Sequence, residues 1–419
     1  MKQSTARLTL TAFTLATTLA FSAFSRAGEV EVLHWWTSGG EAKSVAELKK
    51  ILEAKGHKWK DFAVAGGGGE NAMTVLKSRV VSGKPPTAAQ VKGPSIQEWG
   101  REGVLTNIDD VAKAANWDGL LPAVVSNVMK YQGHYVAVPV NVHRVNWMWV
   151  NPEVFKKAGA KIPSTWEEFA VAADKIQKAG FIAVAHGGQP WQDATVFESV
   201  ALGVGGADWY NRAFVNLDGS ALNSPTMEKA FATLRTVQKS IDKDAANRDW
   251  NLATAMVING KAAMQFMGDW AKGEFTAAGK SPGKDYVCMP APGTKGAFTF
   301  NIDSFILFEQ KNSDAKEAQR ALASSIMEPE FQEVFNLNKG SIPARTGMSM
   351  TKFDQCAKDS SSEFESSAKS KKLVPSWAHG MAMPASAQGA MFDVVTQFMN
   401  SNMTPKAAAE KMAAAGKSK

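Results

Sequence analysis

Short apolar runs alternating with segments of helical period constrain this chain more than any other feature. A strand that leads through a helix to a parallel neighbour builds an open α/β sheet. Val30, Val32 and the apolar residues after them read as a first strand, and residues 42–55 carry Val45, Leu48, Ile51 and Leu52 at helical spacing before Gly56, a helix-ending glycine. A strand over 59–64, glycines 66–69, a helix over 71–82 and a buried strand over 87–91 follow, the last ending at Lys92 and Gly93. Ligands of such sheets sit beyond the carboxyl ends of strands, which makes Lys92 a candidate contact as well as an ordinary solvated lysine. The glycine run lacks the Gly-Lys-Ser/Thr ending of a phosphate loop, so it reads as a loop that lets backbone approach a cleft, or as a plain turn.

The pattern then continues with a helix from Ile96, a helix over 117–129, a hairpin over 131–138 around Gln132-Gly133, and a strand over 145–150. Asn151-Pro152 caps a helix, and Thr165 with Glu168 forms a capping box. A strand over 181–185 ends in the polar, glycine-rich HGGQPW, after which helices dominate to Gly283, including 226–242 and 250–259. Alternation on both sides of a crossing near Pro139 predicts two α/β lobes.

The first loop of the chain proper, LHWWTSGGE at 33–41, carries adjacent tryptophans. On extended backbone Trp35 and Trp36 point to opposite sides, so at most one enters the core while the other stands in a cleft. Gly39 and Gly40 bring Glu41 to the same opening at the first turn of a helix. An indole face beside a carboxylate suits a neutral polyol, whose C–H face lies on the ring and whose hydroxyls donate to the acid. The competing reading keeps both tryptophans in the core and Glu41 as a helix-start charge.

Residues 1–27 combine Lys2 and Arg7, an apolar run over 8–21 too short to span a bilayer, and Ser25-Arg26-Ala27, which reads as a cleaved secretory signal peptide. Removing them from 419 residues leaves 392, enough for two lobes with sizeable cores. No cysteine follows the cleavage site, which favours a protein free in a periplasm over a lipid-anchored one. The formal charge of +7 includes three basic residues in the leader, and the remaining lysines are interspersed with acids instead of forming a basic stripe, so nucleic acid is not an expected partner. Cys288 and Cys356 could form one bridge or remain two buried thiols, and no Cys/His spacing suggests zinc or another metal.

At 259–270 the sequence reads NGKAAMQFMGDW. With LHWW near the start, NPEVFKKAGAKIPSTWEEF in the middle and KGSIPAR at 339–345, the chain resembles the family 1 extracellular solute-binding proteins of ABC sugar importers, in its periplasmic glucose or glucose/mannose branch. The resemblance covers essentially the whole mature chain. It implies a two-lobe periplasmic binding protein fold (type II-like) with the ligand cleft between lobes joined by crossings near Pro139, Asn301 and Ser349. The lobes would comprise 28–139 plus 302–348 and 140–301 plus 349–419. It places Trp35, Trp36, Glu41, Lys92, Trp270, Asn301, Asp303, Lys339 and His379 at the sugar, and pairs Cys288 with Cys356 inside the second lobe. By residue type alone Lys339 is a cation favourable to the end of a helix over 314–338, and His379 is a loop histidine of the usual surface kind.

The resemblance implies no cofactor. Its partners are a monosaccharide (glucose first, then mannose or galactose), an inner-membrane ABC permease and, as a further candidate, a chemoreceptor, with the chain acting as a monomer in the periplasm. The alternative is a secreted carbohydrate-active hydrolase using Glu41 and Asp303 as acid and base, which needs one carboxyl of raised pKa.

Overall fold

The structure, a computed structural model, describes residues 27–418. The expected signal peptide lies outside the described residues except for Ala27. Two sheets carry the molecule. In the first, the strand order is Lys58–Ala63, Glu29–His34, Ala88–Val91, Ser304–Leu307, Ala137–Pro139. Glu29–His34 is parallel to both of its neighbours, whereas Ser304–Leu307 runs antiparallel to both of its own. Ala88–Val91 is buried along its whole length, as a central strand covered on both faces requires. The second sheet is ordered Val287–Pro290, Trp147–Val150, Ala262–Phe266, Ile182–Val184, with only the last pair parallel. The chain passes from the first sheet to the second between Pro139 and Trp147 and returns between Pro290 and Ser304. In a small three-stranded sheet, Leu373–Pro375, Phe298–Asn301 and His143–Arg144, the last two strands come from these connecting segments and the first follows the helix Gln355–Lys369.

Each large sheet has its own apolar core, one around Val30, Leu48, Ile306 and Phe335, the other around Trp149, Phe197, Phe231 and Met264. The molecule therefore has the expected two-lobe α/β architecture. The helix Gln355–Lys369 reaches toward both cores: Phe364 packs with the first, while Cys356 packs with the second and is bridged to Cys288 on the edge strand Val287–Pro290.

Local chemistry explains where helices stop. The helix expected over 314–338 is two, Ser313–Met327 and Pro329–Lys339, because Pro329 has no N–H to continue the first and is preorganised to start the second. Likewise Pro122 splits the segment 117–129 into Trp117–Leu120 and Ala123–Val128. The hairpin closes over Lys130–Tyr131 and His134–Tyr135, and Ala137–Pro139 leaves it to join the first sheet. The expected strand over 145–150 is only Trp147–Val150, with His143–Arg144 paired elsewhere. Asn151 and Thr165 cap their helices as the sequence indicates.

Candidate functional site

A cavity of about 320 Å³ opens between the two sheets, and all nine candidate contacts line it. The loop after Glu29–His34, the loop 66–69 and Lys92, just beyond Ala88–Val91, form one wall. The alternation of the first strand buries Val30 and Val32, and past His34 it places Trp36 against Phe305 and Phe335, with ring centroids 5.6 and 5.3 Å apart. Trp35 is turned outward instead, with the Lys92 ammonium 5.0 Å from its ring centroid. Trp36 is thus mainly a core residue with an edge at the cavity, and Trp35 is the freer stacking face. The second loop, 66–69, lies between two indoles. A Cβ on Gly68 would come 3.0 Å from the ring of Trp191, and one on Gly69 would come 3.0 Å from that of Trp35, with both glycines at positive φ. Bare backbone is required there, which supports the cleft-lining reading over the plain turn.

Glu41 is the third residue of the helix Gly39–Ala54 and accepts from the backbone N–H of Ser38 at 3.4 Å. Its other oxygen accepts from Lys339 Nζ at 2.8 Å, so two expected sugar contacts form a buried ion pair with each other. Lys339 is the last residue of its helix, which Gly340 ends at φ +92°, and its ammonium lies 5.9 Å from the ring centroids of both Trp36 and Trp270. Lys92 is half-buried and makes no hydrogen bond or ion pair among the described residues. Burial lowers its pKa, partly opposed by Asp303 and aided by Lys339.

The floor comes from the connecting segments. Asn301 ends the strand Phe298–Asn301, and its Oδ1 is buried with no hydrogen-bond partner, which is expensive unless something else donates to it. Asp303 accepts from His143 Nε2 at 2.8 Å, Asn141 Nδ2 at 3.2 Å and Gln90 Nε2 at 3.2 Å. A carboxylate offers about four acceptor positions, so about one remains for a ligand. His143 was not anticipated. It is buried between Asp303 and Asp269, the latter bonded to its Nδ1, and it lines the cavity. Burial pushes its pKa down, but the two facing carboxylates outweigh that and raise it, and a carboxylate oxygen at each ring nitrogen places both as donors, the arrangement of an imidazolium. The same contacts, against the opposing effect of burial, hold Asp303 far below the usual carboxylate range.

The second lobe supplies the opposite wall through Gln189, Trp191, Asp249, Trp250, Asn251, Trp270 and His379. Trp270 packs edge-on to His143 and His379, with centroids 5.2 and 4.9 Å apart. His379 is buried instead of lying at the surface, since its loop is folded under the helix Pro190–Tyr210, and Thr195 Oγ1 is 3.1 Å from its Nε2. The Thr195 hydroxyl donates to the Trp191 carbonyl at 2.8 Å, so Nε2 carries the proton and Nδ1 is left as an acceptor. Burial, with Lys92 and His143 nearby, keeps this imidazole neutral. Trp191 and Gln189, joined by an indole N–H to amide bond of 2.8 Å, sit in the HGGQPW segment, where a glycine-rich strand end was the available signal. Asp249, Trp250 and Asn251 begin a helix with no such signal.

Apart from the unpaired Lys92 ammonium, the wall presents mostly charges matched to each other, Glu41 with Lys339 and His143 with Asp269 and Asp303, together with indole faces and mixed free donors and acceptors. That inventory suits a small neutral polar ligand better than an ion. Among the described residues no group of side chains has the makings of a metal site.

Comparison with known proteins places the chain. The description of bacterial extracellular solute-binding proteins matches residues 38–325. A protein of Brucella suis named a probable sugar-binding periplasmic protein is 49% identical over 386 residues, covering 92% of this chain and 91% of that one. One of the same name from Rhizobium meliloti is 49% identical over 397 residues, covering 95% of each. The solved structure of a chitin oligosaccharide binding protein superposes with a TM-score of 0.78 at 19% identity, covering 93% of this chain and 98% of that one, a likeness of fold. A family match over most of the chain, close relatives along its length and a shared two-lobe fold agree, and the chain belongs to the bacterial extracellular solute-binding proteins.

Proposed function

We propose that the cavity binds one monosaccharide, D-glucose before its epimers, and that the chain is the periplasmic component that delivers it to an ABC permease. The observation that carries this reading is the combination on one wall system of indole faces with the unpartnered Asn301 Oδ1, the unpaired Lys92 ammonium and the acceptor Nδ1 of His379. The cavity is at the lower end of the range of about 300–1,000 Å³ for ligand pockets, which favours a single ring. A Kd of about 1 µM corresponds to about −8 kcal/mol, or about −0.7 for each of the roughly twelve non-hydrogen atoms of a hexose, inside the ceiling of about −1.5. In this reading Trp35, Trp270 and the edge of Trp36 supply apolar faces, Lys92 donates, and Asn301, Asp303 and His379 accept. Glu41 and Lys339 act as a pair whose outer lone pair and N–H groups face the sugar. The lobes are 28–139 plus 302–348 and 140–301 plus 349–419, with Gln355–Lys369 touching both cores.

The hydrolase alternative is disfavoured on chemistry. Asp303 is held ionised, and both oxygens of Glu41 are engaged, one by Lys339 and the other by the Ser38 N–H, so neither carboxyl is placed to deliver a proton to a leaving group. Calorimetric titration with glucose, mannose, galactose, xylose and maltose, beside incubation with an aryl glucoside, tests the reading. One-site binding of a monosaccharide with every sugar returned intact is expected. Release of the aryl group, or binding of maltose alone, would overturn it.

A further inference from the structure

Glu198 is a fully buried carboxyl that the sugar site does not touch. It lies on the helix Pro190–Tyr210, on the same face as Thr195 and Trp191, which are about one and two turns back toward the cavity respectively. Its Oε1 accepts from the Tyr210 hydroxyl at 2.6 Å and from the backbone N–H of Ala378 at 3.2 Å, and its Oε2 accepts from Ser376 Oγ at 2.7 Å. The network does not stop there. Ser376 Oγ accepts from the N–H of His379 at 3.1 Å, and the Tyr210 oxygen accepts from the N–H of Trp377 at 3.2 Å. Three consecutive backbone N–H groups, of Trp377, Ala378 and His379, therefore end in one hydrogen-bond network centred on this carboxyl.

Burying a carboxyl is unfavourable, and here burial raises its pKa to about 7 despite four hydrogen-bonding neighbours. An apolar side chain would avoid that penalty, so stability alone is a poor reason for the group. The segment it fixes is the one that carries His379. The ring of His379 then reaches the cavity with Nε2 on Thr195, from the same helix face, and its edge against Trp270.

We infer that Glu198 is a positioning residue of the sugar site: by fixing the 376–379 loop through Ser376 and Tyr210 it sets the place of the His379 ring, and so governs sugar affinity without touching sugar. The inference rests on the monosaccharide reading above. A purely structural Glu198 would change the melting temperature and leave affinity alone, or would weaken sugar equally whether or not His379 is present.

The test is a double-mutant cycle read by calorimetric titration of D-glucose. Glu198→Gln keeps the shape but removes the charge, and its NH₂ group must either face the Ala378 N–H, losing that bond, or face Ser376, whose hydroxyl then has to turn from donor to acceptor, so the hold on the loop is weakened either way. Affinity should fall by about tenfold, the worth of one contact to a charged group. In a His379→Ala background the same substitution should change Kd by less than about twofold, because the residue it acts through is gone. Ser376→Ala, which removes one link and leaves the carboxyl, should behave the same way and serves if Glu198→Gln does not fold. Equal losses in both backgrounds, or no loss from either variant, would overturn the inference while leaving the sugar site standing. A parent that binds no monosaccharide would sink the functional reading itself.

Discussion

Substituting Asp303 by asparagine tests the floor of the cavity, and the structure fixes the size of the effect. The carboxylate has two sides: one oxygen faces His143 Nε2 and Asn141 Nδ2, and the other faces Gln90 Nε2. If the amide of Asp303→Asn turns its oxygen to His143, its NH₂ meets the NH₂ of Gln90. Gln90 cannot flip freely to cure this, because its Oε1 accepts from the Trp35 N–H at 3.3 Å. The variant thus loses one hydrogen bond and one of the two charges facing a buried imidazolium. Removing all compensation from a buried charge costs roughly 3–5 kcal/mol, and Asp269 remains, so a loss of about 2 kcal/mol in the unliganded protein is expected. Sugar loses the single acceptor position that the protein leaves open, worth roughly 1.5–3 kcal/mol, or about one to two decades in Kd. Urea unfolding of the unliganded variant and calorimetric titration with glucose separate the two effects. A variant that is destabilised yet binds glucose within about twofold of the parent would show that Asp303 holds His143 and Asn141 and never meets the ligand.

The Glu41–Lys339 pair should behave as a unit: Lys339→Met alone leaves Glu41 buried without its cation and should destabilise by roughly 3–5 kcal/mol, whereas Glu41→Gln with Lys339→Met should recover much of that in urea melts. Because the pKa of His143 is raised in the fold, its stabilising effect is complete below its unfolded value of about 6.5 and is lost as pH rises through the higher folded value. Parent minus His143→Gln stability should therefore shrink above about pH 6.5, and a flat difference up to pH 9 would contradict the imidazolium assignment. Reducing the Cys288–Cys356 bridge opens a loop of about 69 residues and should lower stability by up to roughly 4 kcal/mol, seen as a lower urea midpoint in dithiothreitol.

Much of the site was legible because strand ends advertise themselves. Trp35 and Trp36 follow a strand whose alternation is plain, Lys92 ends an apolar run, and Asn301 and Asp303 are polar residues at the entrance to a buried strand. His143 was not legible. It lies in a short connecting strand that looks like the start of the next sheet, and only the fold brings Asp269 and Asp303, 126 and 160 residues away in sequence, to either side of it. The same applies to the partnering of Glu41 with Lys339, 298 residues apart, which turns two separate candidates into one ion pair. His379 reads as a surface loop residue because what holds it lies far away in sequence: Ser376, to which its N–H donates, donates in turn to Glu198, and its ring meets Thr195, contacts that exist only once the loop is folded against the long helix. The broken helices were legible and underweighted: Pro122 and Pro329 mark both breaks.

Tryptophan fluorescence during sugar titration tests the central claim most directly, because Trp35, Trp36, Trp191, Trp250 and Trp270 all line the proposed site. The account predicts a saturable, one-site change with D-glucose at micromolar concentrations, a weaker response to its epimers, and loss of most of the signal in Trp35→Phe together with Trp270→Phe. A flat response to every monosaccharide, or saturation by oligosaccharides alone, would contradict it.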